Sequence, residues 1–443
     1  MAPRVRPPYT IVVRIRNHAA LASSALRCTA LAIAEAALDA IDTASAVRRA
    51  VRLEAGRVHV GETSVPLHPD GRLLLVSVGK CAFAATETLA EILGERLADG
   101  VVLDVAEAEA TAIPGLRVRR GTHPMPSAAN VEATREIVAF LEAAGPLDVV
   151  LSVISGGGST LLCLPPEGGS FEAERAVLEA LFRAGATIQE INTIRKHTSL
   201  ARGGFLARYA RPARLVTLVF SDVPGAGVEF VASGPTVLDP STVADAERVL
   251  ARYGLPAACG LDRIALVETP KERALFADAT TAVVVSNDVA LAAMAAAARA
   301  AGFAPVIRTA ALAGEARVVA SQVVTELHAA TPRTALLYGG ETTVTVRGRG
   351  RGGRNLELAL AALAEVAEGE LLLTLATDGR DNGHLAGALA DLVTREAARR
   401  AGLDPRAYLD ENDSYGFFER VGHALETGAT GANVADLIVA LRA

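Results

Sequence analysis

The sequence predicts an α/β protein whose sheets are mainly parallel. Segments with apolar residues three and four positions apart alternate with short apolar runs rich in β-branched residues. Because these short runs carry almost no polar side chain on either face, we expect sheets that are covered by helices on both faces. Nearly every run also ends in small or polar residues, and in parallel sheets the ligand crevice lies beyond such strand ends.

The helical segments and the apolar runs follow one another in order along the chain. Amphipathic spacing predicts helices at 30–51, 85–97, 130–144, 171–185, 244–254, 288–302, 314–330 and 355–369. Apolar runs predict strands at 72–79, 100–106, 147–157, 214–222, 282–288, 334–340 and 371–379. This alternation indicates repeated strand–helix units.

Length and charge set the domain organisation and exclude one class of function. The chain has 443 residues, which is too long for one ordinary core, so we expect two domains. The alternation is weakest over 252–276, which predicts a domain of residues 19–260 and a domain of residues 261–443, after an N-terminal extension of residues 1–18. The formal charge of −6 argues against a nucleic-acid binder, which needs a basic face. A homodimer stays open.

Cysteine usage and hydropathy indicate a cytoplasmic protein. The four cysteines are scattered without a CxxC pair, which is typical of reduced thiols. No apolar run approaches the roughly 20 residues of a membrane span, so we expect no membrane partner. The basic start also lacks the apolar core and cleavage site of a signal peptide.

A glycine-rich loop follows the predicted strand at 147–157. It comprises Ser155, Gly156, Gly157, Gly158 and Ser159. Glycines let the backbone approach a ligand and adopt positive φ, so backbone N–H groups and serine hydroxyls could hold an anion. The alternative is a tight strand-to-helix turn without a ligand. The loop is not a Walker A motif, since no GKS or GKT follows it.

Two charged residues directly follow predicted strands. Lys80 comes after the run that ends at Gly79, so it would face the same crevice as the glycine loop. Its alternative is a lysine that runs along the rim of the sheet with its ammonium group in water. Asp222 could bind Mg²⁺ or accept a hydroxyl proton, and its alternative is a carboxylate that caps a turn.

A polar and basic cluster lies within residues 192–202. Its members are Asn192, Arg195, Lys196, His197 and Arg202. Such a cluster suits the recognition of phosphate or carboxylate. The alternative is a helix start with ordinary surface charges.

Arginines alternate with glycines in the segment from Gly348 to Arg354. The glycines match a dinucleotide-binding fingerprint only loosely, and no acid follows about 20 residues later on a clear second strand. We interpret the segment as an anion site, because glycine admits close approach and arginine neutralises charge. Arg354 and Asn355 lie at the predicted start of a helix, where the helix dipole also favours negative charge.

Taken together, these segments resemble the class II glycerate 2-kinases, the family with a C-terminal MOFRL domain. The matching stretches occur in the family's order from about residue 20 to the C-terminus. They are VGK at Lys80, THPMP around His123, SGGGST at Ser155, RKHTSLARGGFLA at Arg195, SDVPG around Asp222, ASGPTVLDP around Ser233, GGETTVTVRGRGRGGRNLELAL at Gly339, TDGRD around Asp378 and TGATGANVADL at Thr427.

The resemblance implies a kinase of two Rossmann-like α/β domains with the active site in the cleft between them. It implies ATP- and Mg²⁺-dependent phosphorylation of the 2-hydroxyl of D-glycerate. The family's catalytic lysine corresponds to Lys80 and its catalytic arginine to Arg354. Asp222 is the first candidate for the base or the metal ligand, and Asp378 is the second. Further candidates for substrate and phosphate binding are Glu341, Asn355, Asp378, Asp381 and His384, beside the loop at 155–159 and Asn192, Arg195, Lys196 and His197.

The chain departs from the family pattern after TDG, where it reads RDNGHLAGA without the usual Pro-Thr-Asp. Arg202 also stands where a lysine is usual. We therefore expect an acceptor other than plain D-glycerate, or weak binding of D-glycerate. Two other functions stay open: an oxidoreductase of the hydroxypyruvate reductase type, and a non-catalytic protein that binds sugar phosphates.

Overall fold

The computed structural model describes residues 13–105, 113–223, 225 and 227–443, which form two compact units. The central unit is Thr43–Ser286, and the terminal unit joins the segment that ends at Asp42 to Asn287–Ala443. Among the described residues, no helix combines the length and the apolarity that crossing a membrane requires.

Helices and strands alternate through both units. The strands are β1 (Val51–Glu54), β2 (Arg57–Val60), β3 (Thr63–Pro66), β4 (Leu73–Val78), β5 (Leu97–Asp104), β6 (Leu116–Arg120), β7 (Val149–Ser155), β8 (Arg214–Phe220), β9 (Ala279–Val285), β10 (Ala304–Leu312), β11 (Thr334–Gly340), β12 (Glu370–Ala376), β13 (Gly387–Asp391), β14 (Ala424–Leu425) and β15 (Asp436–Arg442). The α-helices are α1 (His18–Leu21), α2 (Ala25–Ile41), α3 (Thr43–Ala50), α4 (Ala82–Leu93), α5 (Ala128–Glu142), α6 (Gly158–Leu161), α7 (Phe171–Arg183), α8 (Ile188–His197), α9 (Phe205–Ala210), α10 (Val243–Arg252), α11 (Asn287–Ala300), α12 (Ala316–Ala329), α13 (Arg354–Leu363), α14 (Leu392–Arg400), α15 (Pro405–Asp410) and α16 (Ser414–Val421).

The central unit is built on a six-stranded sheet in the order β6-β5-β4-β7-β8-β9, and every neighbouring pair is parallel. All residues of β4 and β7 are buried, which explains why both strands are apolar on both faces. The chain runs outward from β4 in one direction and from β7 in the other. The strand order therefore reverses between β4 and β7, and in such sheets ligands bind beyond the carboxyl ends of the strands at this switch point.

The terminal unit contains a six-stranded sheet in the order β10-β11-β15-β12-β13-β14. Here β10 and β11 are parallel, and the other neighbouring pairs are antiparallel. The α/β fold class is confirmed in both units, and parallel pairing holds throughout the central sheet. The mixed pairing of the terminal sheet was not predicted, because an apolar run that is buried on both faces can pair in either direction.

Several strands were absent from the prediction. The C-terminal strand β15 lies between β11 and β12, and a short antiparallel sheet β1-β2-β3 precedes β4. The strands of the short sheet have four residues each, and β10 is largely exposed. These short or exposed strands do not show the continuous apolar run that identified the others. Strand β15 does contain such a run, with six of its seven residues buried, and the prediction overlooked it.

The boundary predicted at residue 261 and the extension predicted for residues 1–18 both need correction. Strand β9 completes the central sheet by pairing with β8, so the central unit continues to Ser286. Residues 1–12 lie outside the described residues. Residues 13–18 pack on the terminal unit, because Ile15 is fully buried and its N–H donates to the Glu35 carboxylate at 2.8 Å.

A buried ion pair fastens α2 to the C-terminal part of the terminal unit. Arg27 is completely buried, and its Nε and Nη2 each donate to the Asp391 carboxylate at 2.7 Å. Nη2 also donates to Thr394 Oγ1 at 2.7 Å and lies 3.2 Å from His423 Nδ1. This network accounts for the assignment of an N-terminal helix to the same unit as the C-terminal half of the chain.

We expect His423 to make the terminal unit sensitive to acid. Burial lowers the pKa of His423 from 6.5 to about 4, and the charge of Arg27 adds to this effect. Between these pKa values the unfolded chain binds a proton that the folded chain does not. The free energy of unfolding should therefore fall as the pH drops from about 6.5 to about 4.

The measurement is urea denaturation of the wild type and of His423→Gln at about pH 7 and about pH 4.5. The variant should lose less stability between the two values. Burial raises the pKa of Asp436 to about 6, so this residue makes the free energy of unfolding rise as the pH drops. Its effect is the same in the wild type and in the variant. Equal losses would contradict the assignment to His423.

Candidate functional site

Lys80 and the glycine loop meet at the switch point of the central sheet. Lys80 follows β4, and its backbone N–H donates to the Gly156 carbonyl, which follows β7, at 2.9 Å. The stem of the lysine lies over the loop, since a Cβ on Gly157 would come within 3.0 Å of Lys80 Cγ. Lys80 is exposed, so its ammonium group can reach a ligand above the loop. The predicted convergence of these two strand ends is present.

The loop has glycine at positions where side chains would collide with their neighbours. A Cβ on Gly156 would overlap the Asp222 carboxylate, and a Cβ on Gly158 would lie 2.6 Å from that of Ala232. Gly157 has φ +83°, which is costly for other residues. The backbone of Gly156 and Gly157 remains partly accessible, so it can approach an anion.

The two serine hydroxyls of the loop form hydrogen bonds within the protein. The prediction had instead given them a role in binding an anion. Ser155 Oγ donates to Val78 O and accepts from Cys81 N, both at 3.4 Å. Ser159 Oγ lies 2.9 Å from Ser233 Oγ, and both serines are buried. The hydroxyls therefore brace the loop, which leaves its backbone and Lys80 for ligand contact.

Asp222 follows β8, and its carboxylate lies beside Gly156, at the same edge of the sheet as Lys80. The other predicted metal ligand, Asp378, belongs to the terminal unit and accepts from Arg380 N at 2.9 Å. Across the described residues, no group of three or more His, Cys, Asp or Glu side chains could hold a metal ion. Any metal here would need most of its ligands from bound substrate and water.

His123 also lies at this site, although the sequence interpretation gave it no role. Its Cδ2 would be 3.5 Å from a Cβ on Gly157, a position that Lys80 also approaches. Desolvation lowers the pKa of His123, and the charges of Lys80 and Arg195 lower it further. The signal in the sequence was the THPMP stretch, but a histidine between strands does not by itself indicate proximity to a loop 34 residues later.

The cluster at 192–202 divides into structural residues and one candidate ligand. Lys196 and His197 are buried, which does not fit the binding role predicted for them. Lys196 Nζ donates to Asp239 Oδ1 at 3.0 Å, and His197 Nδ1 lies 2.8 Å from the Val267 carbonyl. Both side chains are thus held inside the protein. Asn192 is likewise buried, with its Oδ1 accepting from Ser233 Oγ at 2.7 Å.

Arg195 is the member of the cluster that remains suited to an anion. Burial lowers its pKa to about 10, and the positive charge of Arg202 contributes. Its Nε is buried without a hydrogen-bond partner. Arg202, by contrast, is fully buried and donates to the Glu174 carboxylate at 2.7 Å. Arg195 lies beside a second arginine and forms no ion pair with a carboxylate in the described part of the chain, so it would gain from a bound anion.

In the terminal unit, Arg354 begins α13 and forms ion pairs with two carboxylates. Its Nε and Nη2 bond to Asp436, and Nη2 also donates to Glu341 at 3.0 Å. Burial raises the pKa of Asp436 to about 6, against the opposing effect of Arg354. The Arg354 side chain keeps 36% of its surface exposed, so it is oriented by its partners and can still contact a ligand.

Asp381 and Asn355 stabilise the start of α13, which differs from their predicted role in binding. Asp381 is buried, and its carboxylate accepts from Asn355 N at 3.1 Å and from Leu356 N at 2.7 Å. It therefore satisfies backbone donors that have no partner within the helix. His384 is exposed, and its Nδ1 lies 2.7 Å from the hydroxyl of Tyr415.

The glycines between Gly348 and Gly353 have a packing role that the anion interpretation missed. A Cβ on Gly350 would overlap Asp413, and one on Gly353 would overlap the Asp381 carboxylate. Gly350 N also donates to the Glu411 carbonyl at 2.8 Å. The absence of side chains on these glycines lets residues 411–413 pack closely against them, and the arginines between the glycines are exposed.

Two family models match the chain. One is described as a domain of unknown function (DUF4147) and matches residues 29–264; the other is the MOFRL family and matches residues 334–436. The D-glycerate 2-kinase of Thermotoga maritima is 38% identical, with 86% of this chain and 93% of the relative covered. A protein of Agrobacterium vitis, provisionally named a hydroxypyruvate reductase, is 39% identical, with 84% of this chain and 88% of the relative covered.

Two solved structures are similar over nearly the whole chain. The crystal structure of the Thermotoga maritima glycerate kinase matches with a TM-score of 0.84 and 34% identity, covering 94% of this chain and 99% of that one. A Pyrococcus horikoshii protein matches with a TM-score of 0.85 and 31% identity, covering 94% and 98%. The chain therefore belongs to the glycerate 2-kinase family that carries a C-terminal MOFRL domain.

Proposed function

We propose that the protein is a kinase that transfers a phosphoryl group from ATP to the 2-hydroxyl of D-glycerate or of a close hydroxy acid. The observation that carries the proposal is the position of Lys80 over the glycine loop, at the switch point of a parallel sheet in a chain of this family. Phosphoryl transfer depends mainly on alignment and charge neutralisation, and this arrangement supplies both.

Each candidate side chain has a distinct part in the proposed reaction. Lys80 neutralises charge on the transferred phosphoryl group, and the backbone of Gly156 and Gly157 approaches its oxygens. Arg195 provides a guanidinium group that forms no ion pair with any carboxylate of the described residues, although the charge of Glu174 acts on it. Arg354, oriented by Asp436 and Glu341, binds a carboxylate or phosphoryl group.

Asp222 is the residue that fits a magnesium ion at this edge of the central sheet. Kinase sites hold Mg²⁺ through one or two carboxylates, with substrate phosphates and water completing the coordination. One carboxylate beside a loop suited to phosphate meets that requirement, although it could equally accept the hydroxyl proton. Bound Mg²⁺ would offset the negative charge of the phosphates. The four unpaired cysteines suit a reducing compartment, so we place the reaction in the cytoplasm.

The reductase alternative is disfavoured by the start of α4. Nicotinamide enzymes with this strand order bind pyrophosphate at the helix that follows the first strand, and an acid at the end of the second strand binds ribose. Here Asp104 does end β5, an acid that the sequence interpretation overlooked. Its Oδ2, however, accepts from Phe83 N at 2.8 Å, which brings negative charge to the start of α4. A pyrophosphate would be repelled there.

The proposal is tested by measuring ADP release with D-glycerate, erythronate, threonate and tartrate as acceptors. We expect ATP-dependent turnover with at least one acceptor, and product analysis should locate the phosphate on the 2-hydroxyl. If D-glycerate gives the highest kcat/KM, the departure after TDG does not change the acceptor. Oxidation of NADH with hydroxypyruvate and no ADP release from any acceptor would refute the kinase assignment.

We expect Arg354→Lys to lower kcat/KM by about tenfold or more, even though the charge is kept. A guanidinium group can form two parallel hydrogen bonds to a carboxylate or phosphoryl group, and an ammonium group cannot. The same substitution also weakens the paired contact with Asp436 that orients the side chain. Steady-state kinetics and a thermal melt separate loss of activity from loss of stability.

The matched control is Arg349→Lys, an exposed arginine in the same glycine-rich segment. It should leave kcat and KM unchanged. A lysine at position 354 that matched the wild type in both constants would rule out bidentate recognition.

A further inference from the structure

An exposed histidine lies beside the proposed phosphate loop. His123 is exposed, and no hydrogen bond to its ring is formed by any described residue. Its Cδ2 and the stem of Lys80 approach the same point above Gly157, at 3.5 Å and 3.0 Å from a Cβ placed there. An acceptor held by Lys80 over the loop would therefore lie next to the imidazole.

Desolvation and the charges around His123 lower its pKa and so favour the neutral ring. Lys80, after β4, and Arg195, on α8, are the charged groups that act on it, and both are positive. Together with desolvation they hold the pKa of His123 below its usual value of 6.5. Two acids lie at this edge of the sheet: Asp222 lies beside Gly156, and Asp104 accepts from Phe83 N at the start of α4. A neutral imidazole with a free nitrogen can accept a proton near pH 7.

We propose that His123 is the general base of the reaction and accepts the proton of the acceptor hydroxyl. The hydroxyl oxygen forms a bond to the γ-phosphorus of ATP while its proton moves to a ring nitrogen of His123. The bond between the γ-phosphorus and the bridging oxygen breaks, and ADP leaves with that electron pair. The imidazolium returns its proton to water. This role rests on the proposed kinase function and leaves Asp222 as the metal candidate.

The test compares the pH dependence of kcat/KM in the wild type and in His123→Gln, with ADP release as the readout. The wild type should lose activity on the acidic side, at a pH below the usual pKa of histidine, as His123 becomes protonated. His123→Gln should lower kcat by about 10²-fold and remove the acidic limb. Exogenous imidazole should partly restore the activity of His123→Ala, because the position is exposed. Substitution of a residue with only a structural role would neither remove the acidic limb nor allow rescue by imidazole.

The control is His68→Gln, another exposed histidine of the central unit, which should keep the wild-type profile. An acidic limb that survives in His123→Gln, or that disappears in His68→Gln, overturns the assignment. So does a wild-type enzyme without an acidic limb, even if the His123 variants do not fold. Failure of the wild type to release ADP with every acceptor instead overturns the proposed function itself.

Discussion

Lys80→Ala should lower kcat by about 10²-fold or more while the protein keeps its fold. Lys80 is the charged side chain that lies over the glycine loop, and its ammonium group is exposed. Because it is exposed, its removal leaves no buried charge without a partner, and surface truncations of this kind change stability by about 0.5 kcal/mol or less. The loss should therefore appear in turnover and leave the thermal melt unchanged.

The matched control is Arg135→Ala, which removes an exposed positive charge from α5 in the same unit. Both variants change the net charge equally, so a general electrostatic effect would lower both activities. Retention of near-normal turnover in Lys80→Ala would remove the residue from the mechanism. A matched fall in both variants would assign the effect to overall charge.

Arg27→Met should destabilise the terminal unit by about 3–5 kcal/mol. Arg27 and Asp391 are both buried, and the arginine gives the carboxylate two hydrogen bonds at 2.7 Å. Methionine fills part of the volume but leaves the Asp391 charge without its partner. Urea denaturation should show an earlier transition for this unit, while a surface change such as Arg400→Met has little effect.

The double variant Arg27→Met, Asp391→Leu distinguishes the cost of an unpaired charge from the loss of packing. With both charges removed, much of the stability should return, because pairs of buried charges contribute little net stability over apolar residues. Thr394 loses a partner in either case, which limits the recovery. Asp391 also caps α14 by accepting from Thr394 N, so a double variant as unstable as Arg27→Met alone would show that packing and this cap, and not the unpaired charge, govern the contact.

The strand ends of the central unit could be predicted because each depends on local sequence. An apolar run that ends in Gly79-Lys80 or in Ser155-Gly156 marks both a buried strand and the point where it leaves the sheet. Parallel strands bring these ends to one edge, so Lys80 and the loop are expected at the same edge, and the pairing of β4 with β7 then makes them neighbours. The ordered motifs identified the family for the same reason.

The partners of the other polar residues could not be predicted, because they lie far away in the sequence. Lys196 was grouped with Arg195 as a basic residue that binds an anion. Its ammonium group instead forms an ion pair with Asp239, which lies 43 residues away in the sequence. Asp381 was predicted to bind substrate or phosphate, and only the structure shows that its carboxylate accepts hydrogen bonds at the start of α13. His123 was overlooked because it follows β6, which lies three positions from β7 in the sheet, so its approach to Gly157 depends on the whole strand order.

The sequence by itself determined the fold class, five of the six strands of the central sheet, the glycine loop with Lys80 and the family. Each of these depends on periodicity or on motifs within a few residues. The tertiary structure alone decided that Ser286 ends the central unit, that β15 separates β11 from β12, and which charges are satisfied internally. Those outcomes depend on burial. A lysine or aspartate has the same letter in the sequence whether it faces water, where it can bind a ligand, or a buried partner, which it then needs for stability.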